Sequence, residues 1–529
     1  MKISNPEKLN KKIAKVEAKS YKKTSRLKRK EELRLAKKAE KLRKKYALNE
    51  EKNKRKQDKR AIKAQNSVTR NSDEENINVG LNKPEETISK NAADPEAETE
   101  KILLSIAKEQ NPVAGWLNLD NAALIFPAGD TADISNMFRV SAVLKEPVDP
   151  VMLQKALNLT VPRFPSLTSS LKRGLFWYYL EPSNKPLVVE KQKDFPCRKI
   201  SLDARNALIR VTYFFHEVAV EILHVATDGN GGITFLNSLL CCYFKLQGKE
   251  ISDKTNCLNH LDKPKPEELA DSYQQLYDEQ KLPRAKDKKA YRLSGKKLPA
   301  GVLITVKGIM SSSAVNEVAK ARGLTVGQLI TACLIHAIEE DRKFYLRKSK
   351  LPVVIGVPIN IRKFYESKTL RNFVALMHVE NENCCDFDAL CQSVKSQFEK
   401  SNNLDYIRSY VNFNVRIQKN KFFRLVPLPV KNVAMKLALK IFSDNVTTST
   451  FSNLGKIAAP EEFKDKVLRY EFNLGPQSTI LTSVCGASYN DTLVLTFARV
   501  IEESGVEKYF FRKLRELGIP VAVESNFEL

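Results

Sequence analysis

Past residue 115 the apolar positions fall into runs whose period switches between two and about 3.6, which predicts strands mixed with helices. "NMFRVSAVLKEPVDPVMLQKALN" predicts a strand over Phe138–Leu144, a turn through Pro147 and Pro150, and a helix over Val151–Asn158. Asp149 stands where a helix cap is needed, and the fixed φ of Pro150 suits the first turn. "LFWYYLEP" and "EVAVEILH" are rich in aromatic and β-branched residues and predict two more strands. In the second, Val218, Val220 and Ile222 share one face, and His224 continues that face at the strand end. The apolar stretch "ITFLNSLLCCYFKLQG" then predicts a helix from Ile233, closed by Gly248. Residues 249–298 are charged and proline-containing, a connector. Beyond Pro299, "GVLITVKG", "PVVIGVPINI", "NFVALMHVE", "TTSTFSN", "VLRYEFNL" and "LVLTFARV" read as strands. Residues 312–344 read as two helices split by a turn at Gly323, and "GVEKYFFRKLRELG" as a closing helix.

The first hundred residues follow no such pattern. Residues 1–70 carry about 27 Lys/Arg against about 8 acids, roughly +19 of the chain's +26. Their Lys, Glu, Ala and Arg favour helix on propensity, but apolar residues are too sparse for a coiled-coil seam. This predicts a solvated, helical or disordered basic arm. Residues 71–105 are polar and acidic and predict a flexible linker. The arm has the charge to contact an anionic membrane or RNA, although it lacks the interleaved aromatics that stack on bases. No apolar run reaches the ~20 residues of a membrane span, and the N-terminus lacks a signal-peptide core, so a cytoplasmic chain, peripheral at most to a membrane surface, is expected. Nine cysteines in mostly apolar surroundings predict reduced thiols rather than a disulfide framework, and the five histidines have no chelating spacing, so no metal is expected.

The candidate chemistry lies in "ILHVATDGNGG", Ile222 to Gly232. On spacing alone a histidine such as His224 is more often a satisfied core residue, and the alternative is a base held at a strand end, where a substrate could reach it. Asp228 is not spaced to orient the ring directly; it is expected to face away, pair with an arginine and fix the loop. Gly229, Gly231 and Gly232 would allow positive φ and close backbone approach. No G-x-G-x-x-G or phosphate-binding loop is present.

"HVATDGNGG" resembles the H-x-x-x-D-G motif of the chloramphenicol acetyltransferase-like superfamily, which includes nonribosomal peptide condensation domains. "LDNAALIFPA", "FRVSAVLKEPVDPVMLQKAL", "VPRFPSL", "FWYYLEP", "DKPKPEELADSYQQLYD", "VPINIRKFYESKTLRNF" and "TFSNLGKI" extend the resemblance, in order, from about residue 112 onward. Together they are most similar to the bacterial alcohol acetyltransferase-like members. Condensation domains carry two successive histidines; here Leu223 holds the first position, which points toward simple acyl transfer. The resemblance implies an α+β fold of two lobes, each a two-layer α/β sandwich, residues 106–285 and 286–529, with a channel between them. It implies His224 as general base and Asp228 as a structural partner of Arg362, with Gly229 beside them. It offers Thr450 and Ser452 as oxyanion donors, and Asn372 and Asn453 as channel residues. The implied activity moves an acyl group from acyl-CoA or an acyl carrier protein to an alcohol, amine or thiol of a small-molecule acceptor, with acyl-CoA as co-substrate, no bound cofactor and a monomeric chain. The rival reading is a catalytically silent fold that binds RNA, ribosomes or membrane through its basic arm.

Overall fold

The computed structural model describes residues 115–527, apart from 131–135, 184, 203–205, 281–287, 345–348, 382–385, 439–444 and 478–479. The expected basic arm and acidic linker lie outside the described residues.

Two large sheets carry the architecture. The first takes β2 (Met137–Leu144), β5 (Glu190–Lys191), β6 (Ile209–Phe214), β7 (Glu217–Leu223) and β12 (Val467–Leu474), in the order β12-β2-β7-β6-β5. A three-stranded sheet of β1 (Leu117–Asn118), β3 (Ser169–Arg173) and β4 (Tyr178–Pro182) accompanies it. The second takes β8 (Ile304–Ser311), β9 (Val354–Asn360), β10 (Val374–Glu380), β11 (Ser449–Lys456), β13 (Thr482–Tyr489), β14 (Thr492–Arg499) and β15 (Ala522–Ser525), in the order β10-β9-β11-β13-β14-β8-β15. In this sheet β11 runs parallel to both of its neighbours, and the other pairs are antiparallel.

Helices α1 (Pro150–Thr160) and α2 (Gly229–Leu246) pack together in the first lobe. The second lobe holds α3 (Ser312–Ala321), α4 (Val326–Arg342), α5 (Phe387–Ser401), α6 (Leu404–Lys419), α7 (Lys421–Leu425), α8 (Leu428–Ala438) and α9 (Gly505–Glu516). Each large sheet has its own apolar cluster. The lobes are not divided strictly by sequence position: β12, from the C-terminal part of the chain, pairs with β2 along its length. An ion pair from Lys307 on β8 to Glu471 on β12 joins the two sheets.

Local chemistry explains most boundaries. Asp149 accepts from the backbone N–H groups of Val151 and Met152 at 2.9 and 3.1 Å, and so caps α1. Past the end of α2, Gly248 adopts φ +74°, the left-handed turn that favours glycine. In β7 both faces are buried, since Ala219, Glu221 and Leu223 are covered as fully as Val218, Val220 and Ile222. Glu221 tolerates this because Arg139 and Arg210 reach it at 3.1 and 3.0 Å. Burial opposes the charge on nearby Glu217, yet Arg139 and Lys307 outweigh it and hold that carboxyl at about 2.

Two expectations need correction. Helix α2 starts at Gly229, not Ile233, because Asp228 supplies a cap four residues earlier. None of the motif glycines has positive φ. Their small size is required instead: a Cβ on Gly231 would collide with Thr227 Oγ1 and the Leu370 carbonyl, and one on Gly232 would press on the Phe138 ring. The packing of α2 against the following connector brings the side chains of Cys241 and Cys257, 16 residues apart in sequence, next to each other, with their Cα atoms 7.2 Å apart, wider than a disulfide spans. Cys197, Cys242, Cys333, Cys391 and Cys485 are free and buried.

Candidate active site

A cavity of about 2720 Å³ runs between the lobes, and His224 opens onto it. His224 is the first residue past β7, where its backbone N–H still donates to the Asn136 carbonyl at 2.8 Å. The imidazole is clamped on two sides. Phe126 stacks on it with centroids 4.7 Å apart, and Phe138 meets it edge-on at 5.2 Å. The third constraint comes from the second lobe: His224 Nδ1 lies 2.8 Å from Asn372 Oδ1.

This contact decides the tautomer. The Asn372 amide N–H₂ donates to Asp120 Oδ2 and to the His224 carbonyl, both at 3.0 Å. With its nitrogen so used, Asn372 turns its oxygen toward the ring, and Nδ1 must carry the hydrogen. Nε2 is then the unprotonated nitrogen. Asp120 is fully buried and also accepts from the Ala123 N–H at 2.8 Å. Burial raises its carboxyl above the usual range, and Arg371, Asn372 and the Ala123 amide only partly offset this. Next to it, Asp271 is pushed up to about 6 by burial and by the charge of Asp120.

Asp228 does a different job. One oxygen caps α2, accepting from Asn230 and Gly231 N–H at 3.1 and 3.2 Å. The other accepts from Arg362 Nη1 at 2.7 Å and from Phe373 N–H at 3.0 Å. Arg362 completes its guanidinium on the carbonyls of Thr369 and Arg371. Asp228 and Arg362 thus tie the histidine loop to the segment that carries Asn372. Gly229 sits against the tip of the Leu454 side chain, which a Cβ there would have to push aside.

Of the remaining residues singled out by sequence, Thr450, Ser452 and Asn453 lie on β11 and line the same cavity. Thr450 and Ser452 are two apart and so share a strand face. Asn453 accepts from the Gly455 N–H at 2.8 Å, closing a turn at the end of that strand. Asn372 sits behind His224, off the cavity wall. Sequence reasoning did not single out Asp120, Asn136, Phe126, Phe138 or Arg371. The only signal for Asp120 and Phe126 was their place in "LDNAALIFPA". Among the described residues no cluster of His, Cys, Asp and Glu could hold a metal ion, and no single helix is long and apolar enough to cross a membrane.

No family model and no curated protein matches the sequence. Solved structures do match by fold. The epimerization domain from the third module of tyrocidine synthetase B is 13% identical with a TM-score of 0.50, covering 77% of this chain and 97% of its own. The first condensation domain of the CDA synthetase is 13% identical with a TM-score of 0.50, covering 76% and 96%. Trichothecene 15-O-acetyltransferase from Fusarium sporotrichioides is also 13% identical with a TM-score of 0.50, covering 76% and 94%. The chain therefore has the two-lobed condensation-domain and chloramphenicol acetyltransferase-like fold.

Proposed function

We propose that this chain is an acyltransferase that moves an acyl group from a thioester donor to an alcohol, amine or thiol, with His224 as general base. The observation that carries the reading is the fixed imidazole: Nδ1 bonded to Asn372 at 2.8 Å, with the ring opening onto the inter-lobe cavity. In the reaction, Nε2 takes the proton of the acceptor O–H, N–H or S–H as that atom attacks the thioester carbonyl. The new bond to carbon forms and the carbonyl electrons move onto oxygen. Collapse of this tetrahedral adduct breaks the C–S bond, and the imidazolium returns its proton to the departing thiolate. No acyl-enzyme is required. The hydroxyls of Thr450 and Ser452 are the proposed donors to the oxyanion. Asp228 and Arg362 hold the loop and touch neither reactant. The donor proposed is acyl-CoA, with a carrier-protein thioester as the alternative carrier of the same group, and the alcohol acetyltransferase-like motifs favour a hydroxyl acceptor.

The test is thiol release from acetyl-CoA across a panel of alcohols, amines and thiols. His224→Ala should lower turnover by about 10²–10⁴-fold, the usual contribution of a positioned base, with the fold unchanged by circular dichroism. Turnover within a few-fold of the unsubstituted chain would remove His224 from the mechanism.

A further inference from the structure

Helix α8 is turned inside out. Val430, Val433 and Leu437, spaced three and four apart, are 60%, 69% and 58% exposed, whereas Lys431 is fully buried. The lysine is held there by specific partners: Nζ donates to the Phe176 carbonyl at 2.9 Å and lies 3.4 Å from the Trp177 ring centre. Asn432 on the same inward side donates to Tyr178 Oη at 2.8 Å. The outward apolar row is therefore fixed by bonds that would all have to break for the helix to roll over. The row continues onto its neighbours. Phe422 and Leu425 on α7 are 85% and 71% exposed, and Leu175, at the tip between β3 and β4, is 72% exposed. Its carbonyl accepts from the Leu428 N–H at 2.9 Å, so this tip and the start of α8 are adjacent.

The chain segment that forms this surface carries charge of one sign. Residues 406–438 contain Arg408, Arg416, Lys419, Lys421, Arg424, Lys431 and Lys436 and not one Asp or Glu. Lys421, Arg424 and Lys436 stand exposed beside the apolar row. In water this arrangement is unfavourable, because it leaves valine, leucine and phenylalanine hydrated while a lysine is buried. At a bilayer interface it is favourable: the apolar row enters the acyl boundary and the cations meet anionic headgroups. The same two helices also form part of the wall of the inter-lobe cavity, through Phe423 on α7 and Ala434, Met435 and Lys436 on α8.

We propose that α7, α8 and the Leu175 tip form a docking face for an anionic membrane surface. The cavity mouth then adjoins the bilayer, and the acceptor is an amphiphile drawn from the lipid; this last step rests on the acyltransferase reading, whereas docking does not. The two tryptophans of the chain provide the readout. Trp177 lies under α8, and Trp116→Phe leaves it as the sole indole. Full-length Trp116→Phe should lose Trp177 emission on mixing with vesicles of brominated phosphatidylcholine containing phosphatidylglycerol, less so with brominated phosphatidylcholine alone, and less as salt is raised. Adding Val430→Asp, Val433→Asp and Leu437→Asp should abolish the quenching, and Lys421→Glu, Arg424→Glu and Lys436→Glu should weaken its dependence on phosphatidylglycerol. Vesicle binding without Trp177 quenching would mean attachment through the basic arm alone and would overturn the proposal. So would quenching that survives the aspartates, or lipid-free self-association that they abolish, since a second copy would then be what covers the face. Because the readout is fluorescence, failure of acyl transfer and failure of docking are separately visible.

Discussion

Two carboxylate–arginine pairs flank the histidine, and they are built in opposite ways. Asp228 and Arg362 form a saturated pair. The carboxylate has a partner for each oxygen, and the guanidinium makes five hydrogen bonds. Asp120 and Arg371 form an unsaturated pair. Arg371 Nε approaches Asp120 at 3.4 Å, its Nη1 donates to the Asn118 carbonyl at 2.7 Å, and its Nη2 has no hydrogen-bond partner among the described residues. A buried ion pair with every site filled is a clamp. One with open sites leaves its carboxylate free to polarise what else it touches, and Asp120 touches Asn372, which touches His224.

The largest expected effect separates the two pairs by stability. Arg362→Met leaves Asp228 buried and unpaired and removes all five guanidinium bonds, so the fold should lose about 3–5 kcal/mol. Arg371→Met should cost less, since it removes one strong hydrogen bond and a looser ion pair at 3.4 Å, and the carboxyl of Asp120, already raised by burial, can take up a proton in place of its partner. A double-mutant cycle of Asp228→Asn with Arg362→Met in denaturant unfolding checks this. Additive losses, or a greater loss for Arg371→Met, would reverse the assignment of clamp.

The first pair was legible in the sequence and the second was not, for physical reasons. Asp228 lies in a compact glycine-rich motif, and Arg362 was offered as its partner by the family resemblance of "VPINIRKFYESKTLRNF", after a strand whose β-formers are plain in "PVVIGVPINI". Most of the long strands of both sheets could be read because their apolar runs are strong, but β6, "IRVTYF", was not singled out although its residues are β-formers too. Asp120 sits in a stretch of little regular structure and acts on His224 through an amide 252 residues away. No local period encodes that. Helices α5, α6 and α8 escaped for a related reason. In α8 the apolar row faces outward, and α5 and α6 are amphipathic with few fully buried residues, so their pattern does not announce a core. Strand β13, "TSVCGASY", was missed because small residues suit the middle of a crowded sheet but carry little β signal.

A middle-sized effect tests what the second pair acts through. Asn372→Ala removes the partner of His224 Nδ1, worth about 1–1.5 kcal/mol as a single hydrogen bond, or roughly tenfold in rate. Asn372 is off the cavity wall, so kcat should fall while KM stays within about twofold, the pattern expected when an interaction acts on the reacting group and not on substrate binding. A rise in KM with kcat unchanged would make Asn372 a lining residue and would cut Asp120 out of the site.

The smallest effect concerns how the second pair depends on pH. Burial holds the Asp120 carboxyl above its ordinary 3.8. The folded chain therefore binds this proton more tightly than the unfolded chain does. Stability from that proton is fully present below pH 3.8 and is lost as pH rises through the folded value. Asp271 adds to the loss, since its carboxyl stands at about 6, partly through the charge of Asp120. Asp120→Asn abolishes the first titration and relieves the second. The new amide still accepts from the Ala123 N–H through its oxygen, but it places an N–H₂ toward the donors of Asn372 and Arg371. That mismatch is uncharged and costs the same at every pH. The two chains should therefore differ by an amount that changes with pH: between pH 4 and pH 7 the melting temperature of Asp120→Asn should move upward relative to that of the unsubstituted chain. Thermal melts of both at pH 4, 5.5 and 7 in one ionic strength measure it. Parallel curves would mean that Asp120 releases its proton equally readily folded and unfolded, and the contrast between a saturated and an unsaturated pair would then have no thermodynamic content.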